Sequence, residues 1–208
     1  MTADLLLGRS PDAIVPREAP VPDTAVLMID LQRDFLDQAI GRMPVDPRGA
    51  ACVIDVANQV LGKRLLPEAL PIIVQNEFAR SDWLGNFFRH QAALAGSPGA
   101  ALDVRIRTSE SRATIKKCRS SAFSNMALEA MLQEHGVRNL YVLGVFAEGC
   151  VRATACDAVA RGYRVFVVED AVASNADMKK RFGLWAMRRA GATMVRSRAL
   201  AGLQVASE

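Results

Sequence analysis

Residues Thr24–Ile29 (TAVLMI) form a short, nearly unbroken apolar run rich in branched side chains. That is the pattern of a strand buried on both faces of a parallel sheet. Asp30 stands at its C-terminal end. Apolar positions over 48–66 recur at helical spacing, and 70–75 (LPIIVQ) reads as a second buried strand, with Pro71 tolerated near its start. A third strand is expected over 113–117. A helix over 124–135 comes next, carrying Met126, Ala127, Ala130 and Met131 at helical spacing and closed by Gly136. The rhythm continues with a strand over 139–145 (NLYVLGV), a helix over 150–161 before Gly162, a strand over 164–168 (RVFVV), a helix over 177–190 and a last strand over 193–195. Alternation of this kind predicts an α/β fold: three layers, α/β/α, around a doubly wound, mainly parallel six-stranded sheet, with ligands bound beyond the carboxyl ends of the strands.

Two segments break the rhythm. Residues 1–23 hold Pro11, Pro16, Pro20 and Pro22 among scattered charges, so an extended arm is expected ahead of one domain over 24–208. Residues 76–104 lack a clear period and contain Phe78, Trp83, Phe87, Phe88 and the turn-forming Gly96-Ser97-Pro98-Gly99, which suits a long loop over a ligand site.

Composition narrows the class. A chain of 208 residues that is 50% apolar fits one compact domain. The 26 basic and 22 acidic residues are interspersed rather than clustered, which argues against nucleic acid as a partner. No apolar stretch reaches the roughly 20 residues of a membrane span, and no basic segment followed by an apolar run opens the chain, so neither membrane insertion nor secretion is expected. Cys52, Cys118, Cys150 and Cys156 form no CxxC pair and have no His at ligand spacing, which fits free thiols in a reducing cytoplasm and no metal.

Three chemically capable side chains fall at predicted strand ends on one edge of the sheet: Asp30, Lys117 and Cys150. Cys150 lies in GVFAEGCV (144–151), where two glycines permit a sharp turn from strand to helix. Helix amides and a nearby cation would favour its thiolate. Singly, each residue also has a structural reading: Cys150 as a small buried hydrophobe, Asp30 as a cap, Lys117 as a solvated cation at a strand end. Their convergence favours chemistry.

The ordered blocks that carry these residues resemble the isochorismatase-like cysteine hydrolases, a family that includes nicotinamidases, N-carbamoylsarcosine amidases and isochorismatases. Asp30-Leu31-Gln32-Arg33-Asp34-Phe35 is similar to the family's Asp-x-Gln-x-Asp-Phe, and Lys117-Cys118-Arg119-Ser120-Ser121-Ala122-Phe123 to Lys-x-x-x-Ser-Ala-Phe. Residues 144–151 resemble the nucleophile turn Gly-Val-x-Thr-x-x-Cys-Val, and Glu169-Asp170-Ala171 is also family-like. The resemblance implies Asp30 as general acid/base, Lys117 as the catalytic cation, Cys150 as nucleophile, a cis peptide at Val145-Phe146 and an oxyanion hole from the backbone amides of Phe146 and Cys150. It also implies a substrate pocket, for which Phe35, Phe78, Trp83 and Phe146 are candidates, with Arg80 as a carboxylate clamp. Lys116, next to Lys117, should point to the other face of a pleated strand.

Departures from the pattern shape the expected substrate. Nicotinamidases carry Asp-x-His and a further His after the second strand. Here residues 75–83 read QNEFARSDW, and His90 and His135 lie elsewhere. No metal or other cofactor is therefore expected. Position 147 is Ala where the family has Thr. The expected function is hydrolysis of a C–N bond in a small amide or ureido compound through a thioester. The alternatives are an isochorismatase-type vinyl ether hydrolase and a catalytically silent scaffold. A nucleotide-binding Rossmann-like domain would need GxGxxG where DLQRDF stands. Family members form homodimers or homotetramers, and apolar surface near the last helix would permit the same here.

Overall fold

The computed structural model describes residues 23–107 and 113–201. The expected Pro-rich arm lies outside the described residues, apart from Asp23. In chain order the elements are β1 (Thr24–Ile29), α1 (Arg33–Leu36), α2 (Pro47–Leu61), β2 (Leu70–Asn76), α3 (Trp83–Phe88), β3 (Ala113–Lys117), α4 (Met126–Glu134), β4 (Asn139–Val145), α5 (Arg152–Ala160), β5 (Arg164–Ala173), α6 (Asp177–Ala190), β6 (Thr193–Val195) and α7 (Ser197–Ala201). The six strands pair in the order β3-β2-β1-β4-β5-β6, every pair parallel. The order reverses at β1, so the crevice beyond its carboxyl end, between β2 and β4, is where such a sheet takes a ligand.

The unbroken apolar run of β1 is explained by its place at the centre. Val26 and Met28 face one core with Val53, Ala57 and Val60 of α2. Ala25, Leu27 and Ile29 face the other with Leu128 and Leu132 of α4, Ala158 of α5 and Met187 of α6. Each large side chain so buried contributes about 1.5–3 kcal/mol.

Local chemistry sets the element ends. Asp46 caps α2 by accepting the Gly49 amide at 2.7 Å, and Pro47 occupies the first helical position. The helical period over 48–66 predicts a longer helix than the one that forms. It stops at Leu61 because Gly62 weakens it and Pro67 excludes helical backbone at Leu66, which adopts φ 49°. α6 spans 177–190 as its period predicts and closes on Gly191 at φ 112°.

β5 is twice as long as expected and contains Glu169-Asp170-Ala171. Its pairing with β4 shifts register between Val142 and Gly144, and the added residues bind the start of α7: Asp170 accepts the Ser197 amide and hydroxyl, and Glu169 pairs with Arg196. The long loop over 76–104 is partly structured, by α3 and by a short 3-10 turn at Pro98–Ala100. No helix among the described residues is long and apolar enough to cross a membrane.

Candidate active site

The DLQRDF block organises the edge of the crevice residue by residue. Asp30 leaves β1 in the left-handed region at φ 56°, a conformation Asp tolerates, and its amide donates to Val74 O at 2.8 Å. Gln32, fully buried, donates to the carbonyls of Asn76 and Ala100, both at 2.7 Å, and accepts the Asn76 amide at 2.9 Å. It thereby ties the end of β2 to the loop. Asp34 accepts the Ala93 amide at 2.8 Å and packs so closely on Gly99 that a Cβ there would lie 2.1 Å from its carboxylate. Phe35 meets Phe146 edge to face, with ring centroids 5.4 Å apart.

Lys117 ends β3 facing inward. Its side chain is fully buried and its Nζ lies 3.0 Å from Asp30 Oδ2. Lys116 points the other way and pairs with Glu77, as the pleat requires. Asn76, at the end of the intervening β2, completes the cluster: its Nδ2 donates to Asp30 Oδ2 at 3.1 Å and to Cys150 Sγ at 3.3 Å.

Cys150 arrives from the other side of β1. Gly144, at φ 122°, lets β4 pass so close that a Cβ would sit 2.1 Å from Ile29 O. A cis peptide joins Val145 to Phe146. The sequence places Cys150 at the opening of a helix. Instead Ala147–Val151 form a wide turn in which Gly149 leaves helical geometry, at φ −103° and ψ −111°, and regular helix begins at Arg152.

Asp30, Asn76 and Cys150 line a cavity of about 490 Å³, with Lys117 buried behind them. This is within the usual range for a small-molecule site. Of the aromatic candidates, Phe35, Phe78 and Phe146 line it. Trp83 does not: its side chain is 74% exposed on α3. Arg80 is also exposed and lies outside the cavity, because the chain turns away after Phe78 before α3 forms. The position foreseen for a guanidinium is taken instead by Arg89, stacked on the Phe78 ring at 3.8 Å and bonded to Asp82 and Asn86. Asn76, Arg89 and Glu148, all cavity residues, had no place among the expected site residues. Asn76 was within reach of a sequence argument, since it ends a strand on the same edge as Asp30 and Lys117. Among the described residues no three His, Cys, Asp or Glu are grouped as metal ligands require.

The electrostatics correct one expectation. Burial, then the neighbouring Asp30 carboxylate, push the Cys150 thiol up to about 12, against the weaker pull of Lys117. Such a thiol is protonated at neutral pH, and a nucleophilic role for it would require a base. Asp30 suits the role of base, because burial raises its carboxyl above the ordinary value despite the Lys117 charge and hydrogen bonds from Cys150, Lys117 and Asn76. Burial alone would lower the Lys117 ammonium, but Asp30 and Cys150 together outweigh it and hold that group above its usual range.

An isochorismatase-domain model matches residues 24–199. A probable inactive nicotinamidase of Arabidopsis thaliana is 32% identical over 161 residues, covering 73% of this chain and 81% of its own length. Maleamate amidohydrolase of Pseudomonas putida is 32% identical over 157 residues, covering 71% of each chain. The solved structure of N-carbamoylsarcosine amidase from Thermoplasma acidophilum matches with a TM-score of 0.71 at 26% identity, over 84% of this chain and 96% of that one. This chain belongs to the isochorismatase family of hydrolases.

Proposed function

We propose that this hydrolase cleaves a C–N bond in a small amide or ureido compound through Cys150, Lys117 and Asp30. The observation that carries the reading is a buried Lys117–Asp30 pair joined through Asn76 to the Cys150 sulfur, with Asp30 and Cys150 both lining the cavity. Amidases among the relatives agree with it.

Asp30 takes the proton from Cys150 as the sulfur attacks the substrate carbonyl. The backbone amides of Phe146 and Cys150 donate to the resulting oxyanion; a donor of that kind contributes about 3–4 kcal/mol to the transition state. Asp30 then passes the proton to the departing nitrogen, leaving a thioester and free ammonia or amine. Water, deprotonated by Asp30, hydrolyses the thioester and restores the thiol. Lys117 remains an ammonium throughout and offsets the charge that moves between carboxylate and sulfur.

Ammonia release from a panel of small amides and ureido compounds, with isochorismate as an ether control, tests this. Turnover by the wild type and none by Cys150→Ala is the expected result. Turnover of isochorismate alone, retained in Cys150→Ala, would replace C–N cleavage with vinyl ether hydrolysis, and silence from both proteins on every compound would favour a scaffold. Two groups of exposed apolar side chains, Trp83, Phe87 and Phe88 on α3 and Phe182 and Trp185 on α6, support a homodimer or homotetramer. Four unpaired cysteines suit a reducing compartment such as the cytoplasm.

A further inference from the structure

Six buried side-chain polar atoms among the described residues lack a hydrogen-bond partner, and four of them belong to residues of this one cavity: Asp30 Oδ1, Asn76 Oδ1, Glu148 Oε2 and Arg89 Nε. An unsatisfied buried group costs about 1–3 kcal/mol, so these residues carry unmet polar demand beside the cavity. Three of the four are acceptors.

Charge sharpens this. Asp30 is balanced by Lys117, and Arg89 by Asp82. The Glu148 carboxylate enters no ion pair among the described residues. Its neighbour Arg152 donates to the Glu148 main-chain carbonyl at 2.8 Å, and Glu148 lines the cavity. Arg119 also lines the cavity but is exposed to water, where its field is weakened. Glu148 thus supplies a partly buried negative charge two residues before the nucleophile.

We propose that Glu148 makes this cavity selective for amides or ureido compounds that carry, besides the scissile carbonyl, a basic N–H-bearing group such as an ammonium, amidinium or guanidinium. The substrate class rests on the amidase reading above; the charge selection does not. A carboxylate in the same place would meet like charge.

The first arm of the test needs no turnover. Methanethiosulfonate reagents of similar size, one bearing an ammonium and one a sulfonate, are allowed to form mixed disulfides, and labelling at Cys150 is read by peptide mass against the exposed Cys52 of the same molecule. The ammonium-to-sulfonate rate ratio at Cys150 is expected to exceed that at Cys52 by about tenfold, equivalent to about 1.4 kcal/mol. Glu148→Gln should bring the two ratios together, and Glu148→Lys should invert the preference. A ratio that is the same in wild type and Glu148→Gln overturns the proposal. The second arm compares ammonia release from β-alaninamide, propionamide and succinamate, where the ammonium-bearing amide should lead in kcat/KM through a lower KM. A lead by succinamate overturns the proposal alone. Glu148-dependent labelling with no ammonia from any amide removes the amidase reading, and the substrate class with it, while Glu148 stands as the charge selector.

Discussion

The side-chain amide of Asn76 lies 3.3 Å from the Cys150 sulfur and donates in the same stroke to Asp30 at 3.1 Å. One planar group thereby fixes the separation of proposed base and proposed nucleophile, and Gln32 fixes the Asn76 backbone in turn. Asn76→Ala is expected to lower kcat/KM for amide hydrolysis by about tenfold to a hundredfold through misplacement of the pair. A loss of less than twofold would remove Asn76 from the machinery.

The raised titrations set the pH behaviour. Protonated Asp30 cannot accept the thiol proton, so activity falls as pH drops through a carboxyl value above the ordinary 3.8. The acid limb of kcat/KM should move when Asn76, which hydrogen-bonds the carboxylate, is replaced by Ala.

Stability responds at the alkaline end. The unfolded thiol ionises near 9.0 and the folded Cys150 only near 12, so the native state retains a proton that the unfolded chain has lost. This contribution is fully present below pH 9.0 and disappears as pH rises toward 12, a decline of roughly 4 kcal/mol. Urea unfolding across that range should show a shallower fall in Cys150→Ala than in the wild type; equal slopes would contradict the raised value.

Lys117 and Asp30 are both buried at 3.0 Å, so removing one leaves the other charged and unpaired. Lys117→Met should cost about 3–5 kcal/mol in unfolding free energy, and the double variant Asp30→Asn/Lys117→Met should recover part of it. Additive losses in the double variant would show that the two groups do not interact.

Gly144 combines positive φ with contact against Ile29, and no L side chain fits both conditions. Gly144→Ala should destabilise by roughly 2–3 kcal/mol or more, measured by chemical denaturation. A neutral result would mean that β1 and β4 can separate at this point without cost.

Charges placed on the apolar face of α6 test assembly. Phe182→Glu with Trp185→Glu should shift the protein to monomer mass in size-exclusion chromatography, whereas monomer mass in the wild type would dismiss the oligomer.

The sequence is most informative where one physical demand acts alone. β1 and β2 read clearly because strands buried on two faces need nothing but apolar residues. Lys117 could be told from Lys116 by the pleat. Arg80 and Trp83 were misplaced for a different reason: the path of 76–104 depends on contacts from elsewhere, such as Asp34 on Ala93 and Gln32 on Ala100, which no local pattern encodes. The extension of β5 was hidden likewise, because Glu169 and Asp170 look like loop residues until Arg196 and Ser197 come to meet them. The thiolate expectation weighed a cation and helix amides, which are visible in sequence, whereas the burial that outweighs them is not.

Lys117 is carried by β3, five residues long and paired with β2 along one side only. Loss of that single ladder would withdraw the cation while the central strands keep their own pairings. Under mild denaturant, turnover should vanish before far-UV ellipticity changes and return on dilution as fast as one short strand can dock.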